Sequence, residues 1–447
     1  MPNRAFLQPF FLLVNPPIYD FAAHDLWLKP LGLLYIASIL ENAGTRVSLI
    51  DYLDRNHPLV PKTKSNSYGC GKYYTQETLK PEAYKKIPRI YKRFGLSRQA
   101  AIAAFKGLVK PDMILVSSGM TYWYPGVQEA IGCLKEVFPN VPVVLGGAYA
   151  ALCGQHANEN AGADFVISSY GLTELSKLVE DLLKYKIDVP KSFNIFPAPS
   201  YRYYHKPGYA VIRTSLGCPY NCSYCAQSAL TGGYIQRKPF KNVIEEITGF
   251  AACGINNIAF YDDALLFEAE RHIVPILQDI IERKISVAFH TPNGLHSRFI
   301  SPTVAKLLKE SGFVSPRISL ETADPERQKV TGSKVTNAEF QAASELLKQV
   351  GYKSGEYTAY VMLGMPGQDL SEVENAIKLA NQCGAKVSVS EYSPIPGTGD
   401  WAKIRDTLPS TDPLWHNNSV YSLLGQEDRK KIESVKQLAK NLNRSFT

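Results

Sequence analysis

The chain has 447 residues, 45% of them hydrophobic and 20% charged, which is the composition of an ordinary folded protein with room for two or three domains. No stretch approaches the eighteen consecutive apolar residues of a membrane-spanning helix, and the apolar start "PFFLLVNPP" is too short for a signal peptide. Five of the eight cysteines are scattered singly, so we expect reduced thiols and a cytoplasmic location instead of a disulfide framework.

The net charge of +8 is concentrated in one segment of the chain. Residues 55–110 contain thirteen Lys and Arg against two acids, a local charge of +11, so the remainder carries about −3. Such a segment can meet an anionic partner, whether a nucleic acid, a phosphorylated substrate or a cofactor tail. The interpretation we favour is a solvated helical insertion, and nucleic acid is not the expected partner.

The first 190 residues alternate short apolar runs with helical patterns, which is typical of parallel strands joined by crossover helices. The strand candidates are "FFLLVN" (10–15), "RVSLIDYL" (46–53), "DMILVSSGM" (112–120), "VPVVLGG" (141–147) and "DFVISS" (164–169). Helical patterns occur at 30–44, 126–138 and 149–162, with Gly44 and Gly162 as stops. The prediction is a doubly wound, Rossmann-like parallel sheet over 1–190 that carries the basic insertion 55–110 and binds its ligand at the carboxyl ends of the strands.

A proline-rich linker at 191–209 precedes a second alternating region. Its six strand candidates are "AVIRTS" (210–215), "INNIAFYDD" (255–263), "SVAFHTPN" (286–293), "SPRISLET" (315–322), "YTAYVMLGMPG" (357–367) and "KVSVSEYSPIPG" (386–397). Six strand–helix units are too few for a closed eight-unit barrel, so residues 210–400 are predicted to form a partial (β/α)6 TIM-type barrel. Residues 401–447 form a C-terminal extension with Ile432, Val435, Ala439 and Leu442 at helical spacing.

Three cysteines cluster in "TSLGCPYNCSYCA", at Cys218, Cys222 and Cys225, directly after the first strand of the barrel. Three thiolates bind three irons of a [4Fe–4S] cluster and leave the fourth iron without a protein ligand. A structural zinc site requires four ligands, and a ferredoxin-type run has a shorter first spacing and a fourth cysteine. Chance clustering of three core thiols is the other alternative. We expect an iron–sulfur cluster at the mouth of the barrel.

The cysteine loop resembles that of the radical S-adenosylmethionine (SAM) superfamily. The pattern C-x3-C-x-aromatic-C of that superfamily is matched by Cys218, Cys222, Tyr224 and Cys225. The resemblance implies that SAM binds the fourth iron, that an external flavodoxin- or ferredoxin-like protein supplies one electron, and that reductive cleavage of SAM yields a 5'-deoxyadenosyl radical. It also implies SAM contacts at strand ends. These are Tyr224, Asp262, Asp263, Asn293, Glu321 and Gly364.

Over nearly the whole chain the sequence is similar to cobalamin-dependent radical SAM enzymes. The resemblance implies cobalamin contacts at the strand ends of the first domain, namely Ser117, Ser118, Tyr124, Gly146 and Gly147. The D-x-H-x-x-G motif of many cobalamin proteins is absent, because His24 follows Asp20 by four residues instead of two. We therefore expect cobalamin to bind without a protein imidazole.

The function implied by the resemblance is cobalamin-dependent methylation of an unactivated carbon of a small-molecule or peptide substrate. One alternative is a cobalamin-independent radical SAM oxidation or rearrangement, with a vestigial first domain. A distant alternative is a cluster-based redox sensor that binds nucleic acid through the basic insertion. The sequence does not identify the substrate or the oligomeric state.

Overall fold

The computed structural model describes residues 8–169, 171–420 and 429–446. The chain forms two compact units. The first comprises Met1–Gly208 and the short segment Asp412–Leu414, and the second comprises Tyr209–Thr411 and Trp415–Thr447. Among the described residues, no helix has both the length and the apolar character needed to cross a membrane.

The first unit is built on a parallel sheet of five strands. The strands of the unit are β1 (Phe10–Asn15), β2 (Ile18–Asp20), β3 (His24–Asp25), β4 (Arg46–Asp51), β5 (Gly71–Lys72), β6 (Thr75–Glu77), β7 (Lys92–Phe94), β8 (Met113–Val116), β9 (Val143–Leu145) and β10 (Phe165–Val166). The parallel sheet has the order β10-β9-β8-β1-β4. The apolar run of β1 is buried throughout, as expected for a central strand covered on both faces. The predicted doubly wound sheet is confirmed.

Helices connect these parallel strands. They are α1 (Leu31–Asn42), α2 (Arg98–Lys106), α3 (Tyr124–Val137), α4 (Ala148–Leu152), α5 (Gly154–Asn160) and α6 (Thr173–Leu183). Gly44 and Gly162 follow α1 and α5 with φ of +79° and +77°, the left-handed conformation that ends a helix without strain at glycine. The core of the unit packs Leu33 and Leu40 of α1 against Phe11 and Leu13 of β1.

The basic insertion differs from the solvated helical insertion that we expected. Among the described residues α2 is its only α-helix, and it also contains β5, β6 and β7, strands of two or three residues each. Strand β7 pairs antiparallel with both β2 and β6, and β3 pairs with β5. Arg55 fixes the loop before β5 by donating to the carbonyl oxygens of Lys64, Gly69 and Lys72. The partners β2 and β3 lie far away in sequence, so local periodicity did not reveal this pairing.

Residues 191–208, predicted as a linker, lie within the first unit. The hydroxyl of Ser38 on α1 donates to the carbonyl oxygen of Ala198 at 2.6 Å, and the backbone N–H of Ser200 donates to Leu34 O at 3.0 Å.

The second unit contains six parallel strands in chain order, with a small hairpin after the first. The strands are β11 (Ala210–Ile212), β12 (Ser215–Leu216), β13 (Gln236–Arg237), β14 (Asn257–Phe260), β15 (Ala288–His290), β16 (Arg317–Glu321), β17 (Thr358–Leu363) and β18 (Lys386–Glu391). Two three-stranded sheets, β11-β14-β15 and β16-β17-β18, are joined by the bridges Phe289–Phe313 and Leu295–Ile318. The predicted partial barrel is confirmed, and each of its six predicted strands contains an observed one.

The helices of the second unit are α7 (Gln227–Thr231), α8 (Phe240–Ala252), α9 (Ile273–Glu282), α10 (Pro302–Glu310), α11 (Pro325–Val330), α12 (Asn337–Gln349), α13 (Leu370–Gln382), α14 (Gly399–Ile404) and α15 (Arg429–Arg444). Five of them begin after a side chain that accepts a backbone N–H of the first turn. These N-cap residues are Ser301, Asp324, Thr336, Asp369 and Thr398. The residues of α15 predicted as a packing face include the buried Ile432, Val435 and Ala439.

Candidate active site

The three clustered cysteines lie on the loop between β12 and α7. Cys218 and Cys222 are buried, and Cys225 is exposed. The backbone N–H of Cys225 donates to Cys222 O at 3.0 Å, a turn that draws the last two cysteines together. Gly217 has a φ of +96°, and a Cβ added there would overlap the carbonyl oxygen of Tyr234. Only glycine therefore fits immediately before the first cysteine.

Two adjacent carboxylates hold the start of this loop. Asp262 is buried after β14 and accepts hydrogen bonds from the backbone N–H groups of Thr214 (3.1 Å) and Ser215 (2.5 Å) and from both hydroxyls (2.6 and 2.7 Å). Asp263 accepts the backbone N–H of Gly217 at 3.2 Å. The structure thus places both predicted SAM-binding acids where they fix the backbone that leads to Cys218.

Asn293 follows β15 and joins the same edge of the barrel. Its side-chain amide donates to the carbonyl oxygens of Tyr261 at 3.0 Å and Asp262 at 3.4 Å. The ends of β11, β14 and β15 are therefore tied together by side-chain bonds to backbone atoms, which gives the cysteine loop a fixed base.

Glu321 ends β16 in an unusual backbone conformation. Its φ is +63°, and the pairing of β16 with β17 shifts register between Ser319 and Glu321. A non-glycine residue with positive φ is uncommon, and strained or bulged positions cluster at functional sites. The Glu321 carboxylate accepts a hydrogen bond from Lys334 Nζ at 2.7 Å.

The loop that carries Lys334 packs directly against the cysteine loop. The backbone N–H of Ser223 donates to Thr331 O at 3.2 Å, and a Cβ added to Gly332 would lie 3.1 Å from the Cα of Cys222. Burial raises the pKa of the Cys218 and Cys222 thiols, to about 11 for Cys222, whereas the positive charge of Lys334 lowers the pKa of both. Lys334 is thus a half-buried cation beside the three thiols, and it belongs to no motif that the sequence revealed.

Tyr224 and Gly364 flank the cysteines on the side of β17 and β18. The ring of Tyr224 packs against Met365, Tyr392 and Ile404, and burial raises the pKa of its hydroxyl. Gly364 follows β17 with a φ of +83°, and an added Cβ would meet no atom within 4 Å. The space around Gly364 leaves room for a ligand to approach the backbone.

The donor set suits an iron–sulfur cluster. Thiolates are the ligands of such clusters, and metal binding deprotonates a thiol whose pKa burial has raised. Among the described residues, no three His, Cys, Asp or Glu side chains converge as a single metal ion requires. Three cysteines that bind a cubane each contact a different iron, so they do not have to meet at one point.

The predicted cobalamin residues lie at the carboxyl edge of the first unit's sheet. Strands β1 and β8 are neighbours there although β4 intervenes in sequence, which makes their boundary the topological switch point. Ser117 donates to Asn15 Oδ1 at 3.0 Å, and Ser118 donates to Gly146 O at 2.7 Å. Gly147 has a φ of +96°, and a Cβ there would overlap Ser118 O, whereas Gly146 faces open space.

Tyr124 lies at the start of α3. Its hydroxyl donates to Asp412 Oδ2 at 3.3 Å, and its ring stacks on Tyr149 with 5.8 Å between centroids. The neighbouring Trp123 donates through Nε1 to Asp20 at 2.9 Å. The structure therefore brings Tyr124 into an aromatic cluster on the same unit as Ser117 and Ser118.

Comparison with known proteins agrees with this geometry. Residues 212–380 match the sequence model described as the radical SAM superfamily. An uncharacterised methyltransferase of Pyrococcus horikoshii is 24% identical over 69% of this chain and 73% of the relative. The cytidylyl-2-hydroxyethylphosphonate methyltransferase of Streptomyces wedmorensis is 20% identical over 97% of this chain and 89% of the relative.

A solved structure shares the fold over both units. It is that of TsrM, a radical SAM methyltransferase from Kitasatospora setae with cobalamin and a [4Fe–4S] cluster bound, which is 15% identical and has a TM-score of 0.67. The match covers 92% of this chain and 81% of TsrM. The three-cysteine loop, its barrel and the preceding parallel sheet therefore have one explanation: the chain is an enzyme with a radical SAM domain at residues 212–380, and over both units it shares the fold of a cobalamin-binding radical SAM methyltransferase.

Proposed function

We propose that this enzyme methylates a carbon of its substrate, with SAM as the methyl source and cobalamin as the carrier. The observation that carries the proposal is the presence in one chain of the anchored three-cysteine loop and of a parallel sheet whose switch point is lined by Ser117, Ser118 and Gly146. The methyltransferase names of both sequence relatives support it, as does the cobalamin in the TsrM structure.

Cys218, Cys222 and Cys225 are the proposed ligands of three irons. When bound, the [4Fe–4S] cluster supplies the electron for reductive cleavage of SAM, and cobalamin supplies the methyl group that is transferred. Tyr224, Glu321 and Gly364 are the proposed direct SAM contacts. Asp262, Asp263 and Asn293 are proposed to orient SAM through the loop that they hold, because backbone and side-chain bonds already engage their polar atoms.

The protein's own contribution is rigid positioning. Carboxylates and an amide fix the base of the cysteine loop, Gly332 lets a second loop pack closely against Cys222, and Glu321 is held by Lys334. A preorganised site of this kind orients the reacting groups before chemistry begins. An external one-electron donor is required, and a flavodoxin- or ferredoxin-like protein is the proposed one.

The cobalamin site is proposed at Ser117, Ser118, Tyr124, Gly146 and Gly147. The chain expressed with ample cobalamin and purified anaerobically should retain a corrin absorption spectrum. Gly146→Val should lose it without loss of thermal stability, because the added side chain enters open space. Gly132→Val, on α3 and equally free of contacts, is the matched control and should keep the corrin.

Turnover products test the reaction. Anaerobic incubation of the cobalamin-loaded chain with SAM and a reductant should release both S-adenosylhomocysteine and 5'-deoxyadenosine, and Cys222→Ala should release no 5'-deoxyadenosine, because reductive cleavage of SAM needs the cluster. Release of 5'-deoxyadenosine alone would contradict methyl transfer. Comparing metabolites of cells that carry the intact chain or Cys222→Ala would then identify the substrate.

A further inference from the structure

Arg317 and Tyr360 lie side by side on the inner face of the second unit. Arg317 begins β16, and Tyr360 lies on β17 opposite Ser319. Since alternate residues of a strand share a face, Arg317, Ser319 and Tyr360 project to the same side of the sheet. The other face of β17 presents the fully buried Ala359, Val361 and Leu363, against which α13 packs. Arg317 and Tyr360 therefore face the interior of the partial barrel.

The two side chains form a fixed pair. Nη1 of Arg317 donates to the Tyr360 hydroxyl at 2.8 Å, and the guanidinium lies 5.4 Å from the centre of the Tyr360 ring. The Tyr360 hydroxyl donates in turn to the carbonyl oxygen of Pro292 at 2.5 Å. These contacts orient the guanidinium while its Nε and Nη2 groups donate to no described residue.

Arg317 is half-buried, and it has no counter-ion among the described residues. Within the part of the chain that the structure describes, no Asp or Glu lies within 4 Å of its guanidinium, whereas Arg298, Arg327 and Lys334 of the same unit pair with Glu339, Glu372 and Glu321. The nearby His290 supplies no negative charge, since burial and Arg317 lower its pKa to about 4. A cation that loses water without gaining an anion is destabilised, so the arrangement suits an anion from outside the protein.

We propose that Arg317 and Tyr360 bind an anionic group of the substrate, either a carboxylate or a phosphoryl group. The inference rests on the proposed function, because it assigns the barrel interior to the substrate. The planar guanidinium fork matches the paired oxygens of both groups, and the tyrosine ring holds it in place.

The position of Arg317 along β16 separates this subsite from that of SAM. Glu321 lies four residues further along the strand and meets Lys334 beside the cysteines. Because of the register shift after Ser319, Arg317 and Glu321 lie opposite Thr358 and Val361, three residues apart on β17, so at about 3.3 Å per residue their Cα atoms are roughly 10 Å apart. The amino and carboxylate groups of SAM must reach the cluster, so we place them beside Glu321 and the cysteines. Arg317 is then available to bind a different anion.

Thermal unfolding of the anaerobically reconstituted full chain tests the subsite, with inorganic phosphate, methylphosphonate, acetate and benzoate as probes at constant ionic strength. We expect at least one probe to raise the Tm of the wild type. Arg317→Gln, which keeps a donor for Tyr360 but removes the charge, should need about tenfold or more probe for the same rise. The control Arg271→Gln, at a side chain that is 82% exposed, should behave as the wild type.

A rise with phosphate and methylphosphonate alone would identify a phosphoryl substrate, and a rise with acetate and benzoate alone a carboxylate. The proposal is overturned if no probe raises the Tm, or if wild type and Arg317→Gln respond equally. It is also overturned if Arg317→Gln without probe loses as much Tm as Arg327→Gln, which breaks a 2.5 Å ion pair. These measurements need no cobalamin and no turnover, so they can fail or succeed independently of methyl transfer.

Discussion

At the scale of single residues, Lys334 brings a positive charge to the three cysteines, and Glu321 brings a negative one. Burial favours the neutral amine of Lys334, but Glu321, Cys222 and Cys225 outweigh it and raise the pKa. Lys334 therefore keeps its positive charge. Because solvent screens charges only weakly in this site, adding or removing one charge has a strong electrostatic effect there.

Substituting either Lys334 or Glu321 should shift the reduction potential of the reconstituted cluster. Lys334→Met removes the cation and leaves Glu321 unpaired, so adding an electron becomes harder and the potential should fall. Glu321→Gln leaves the cation unpaired, so the potential should rise. Redox titration followed by electron paramagnetic resonance measures both values without substrate.

The double variant Lys334→Met/Glu321→Gln is the control for this pair, and its potential should lie between those of the single variants. Iron and labile sulfide contents report whether the cluster is still bound. Shifts of the same sign in both single variants, with intact cluster content, would show that charge is not the cause.

Gly147 is a second residue whose identity the structure explains. Gly147→Ala should destabilise the chain by about 2 kcal/mol or more, because its positive φ and the overlap with Ser118 both penalise a Cβ. Gly132→Ala should instead stabilise α3 by about 0.5 to 1 kcal/mol, since it faces open space in a helix interior. Denaturant unfolding measures the free energy of unfolding of both variants. An unchanged value in Gly147→Ala would contradict the predicted overlap with Ser118.

At the scale of elements, α15 covers the free edge of the barrel sheet. Among the described strands, β18 has only β17 as a neighbour in that sheet. Asn443 of α15 accepts the backbone N–H of Val387 at 2.7 Å and donates to its carbonyl oxygen at 2.9 Å, as a further strand would. Lys436 of the same helix pairs with Glu391 at the end of β18.

Asn443→Ala should therefore lower stability by about 1 to 2 kcal/mol, because both backbone groups of Val387 lose their partner. Asn441→Ala, an exposed position on the same helix, should change stability by less than about 0.5 kcal/mol. Thermal unfolding compares the two variants. Equal losses in the two variants would contradict the role of the edge contact, because helix propensity favours alanine at both positions.

Much of the parallel scaffold could be predicted from the sequence, because apolar runs and helical periodicity are local signals. The cysteine loop could also be predicted from the sequence, because the spacing of its three cysteines is a local signal. Arg317 and Lys334 were not, because their importance depends on partners that come together only in the fold, such as Tyr360 and Glu321. The pairing of β7 with β2 was missed for the same reason.

At the scale of the whole molecule, buried neutral histidines make stability depend on pH. Burial lowers the pKa of His290 to about 4 and that of His296 to about 3, below the ordinary value of 6.5. Unfolded chains then bind more protons than folded ones below pH 6.5, so stability should be full above 6.5 and fall as the pH drops towards 4.

For His290 alone the full effect is roughly 3 kcal/mol. His290→Gln should flatten the fall in stability between pH 6.5 and 4, and the exposed control His24→Gln should leave it unchanged. Denaturant unfolding at a series of pH values measures this dependence. An identical slope in wild type and His290→Gln would refute the assignment.

The short segment Asp412–Leu414 belongs to the first unit although its neighbours on both sides belong to the second. Tyr84 donates to Leu414 O at 2.9 Å, and Tyr124 donates to Asp412. Neither half can thus be excised by one cut of the polypeptide. A fragment ending at Gly208 would lack the acceptors of two tyrosine hydroxyls, so testing the proposed cobalamin and cluster sites separately calls for point substitutions and not truncations.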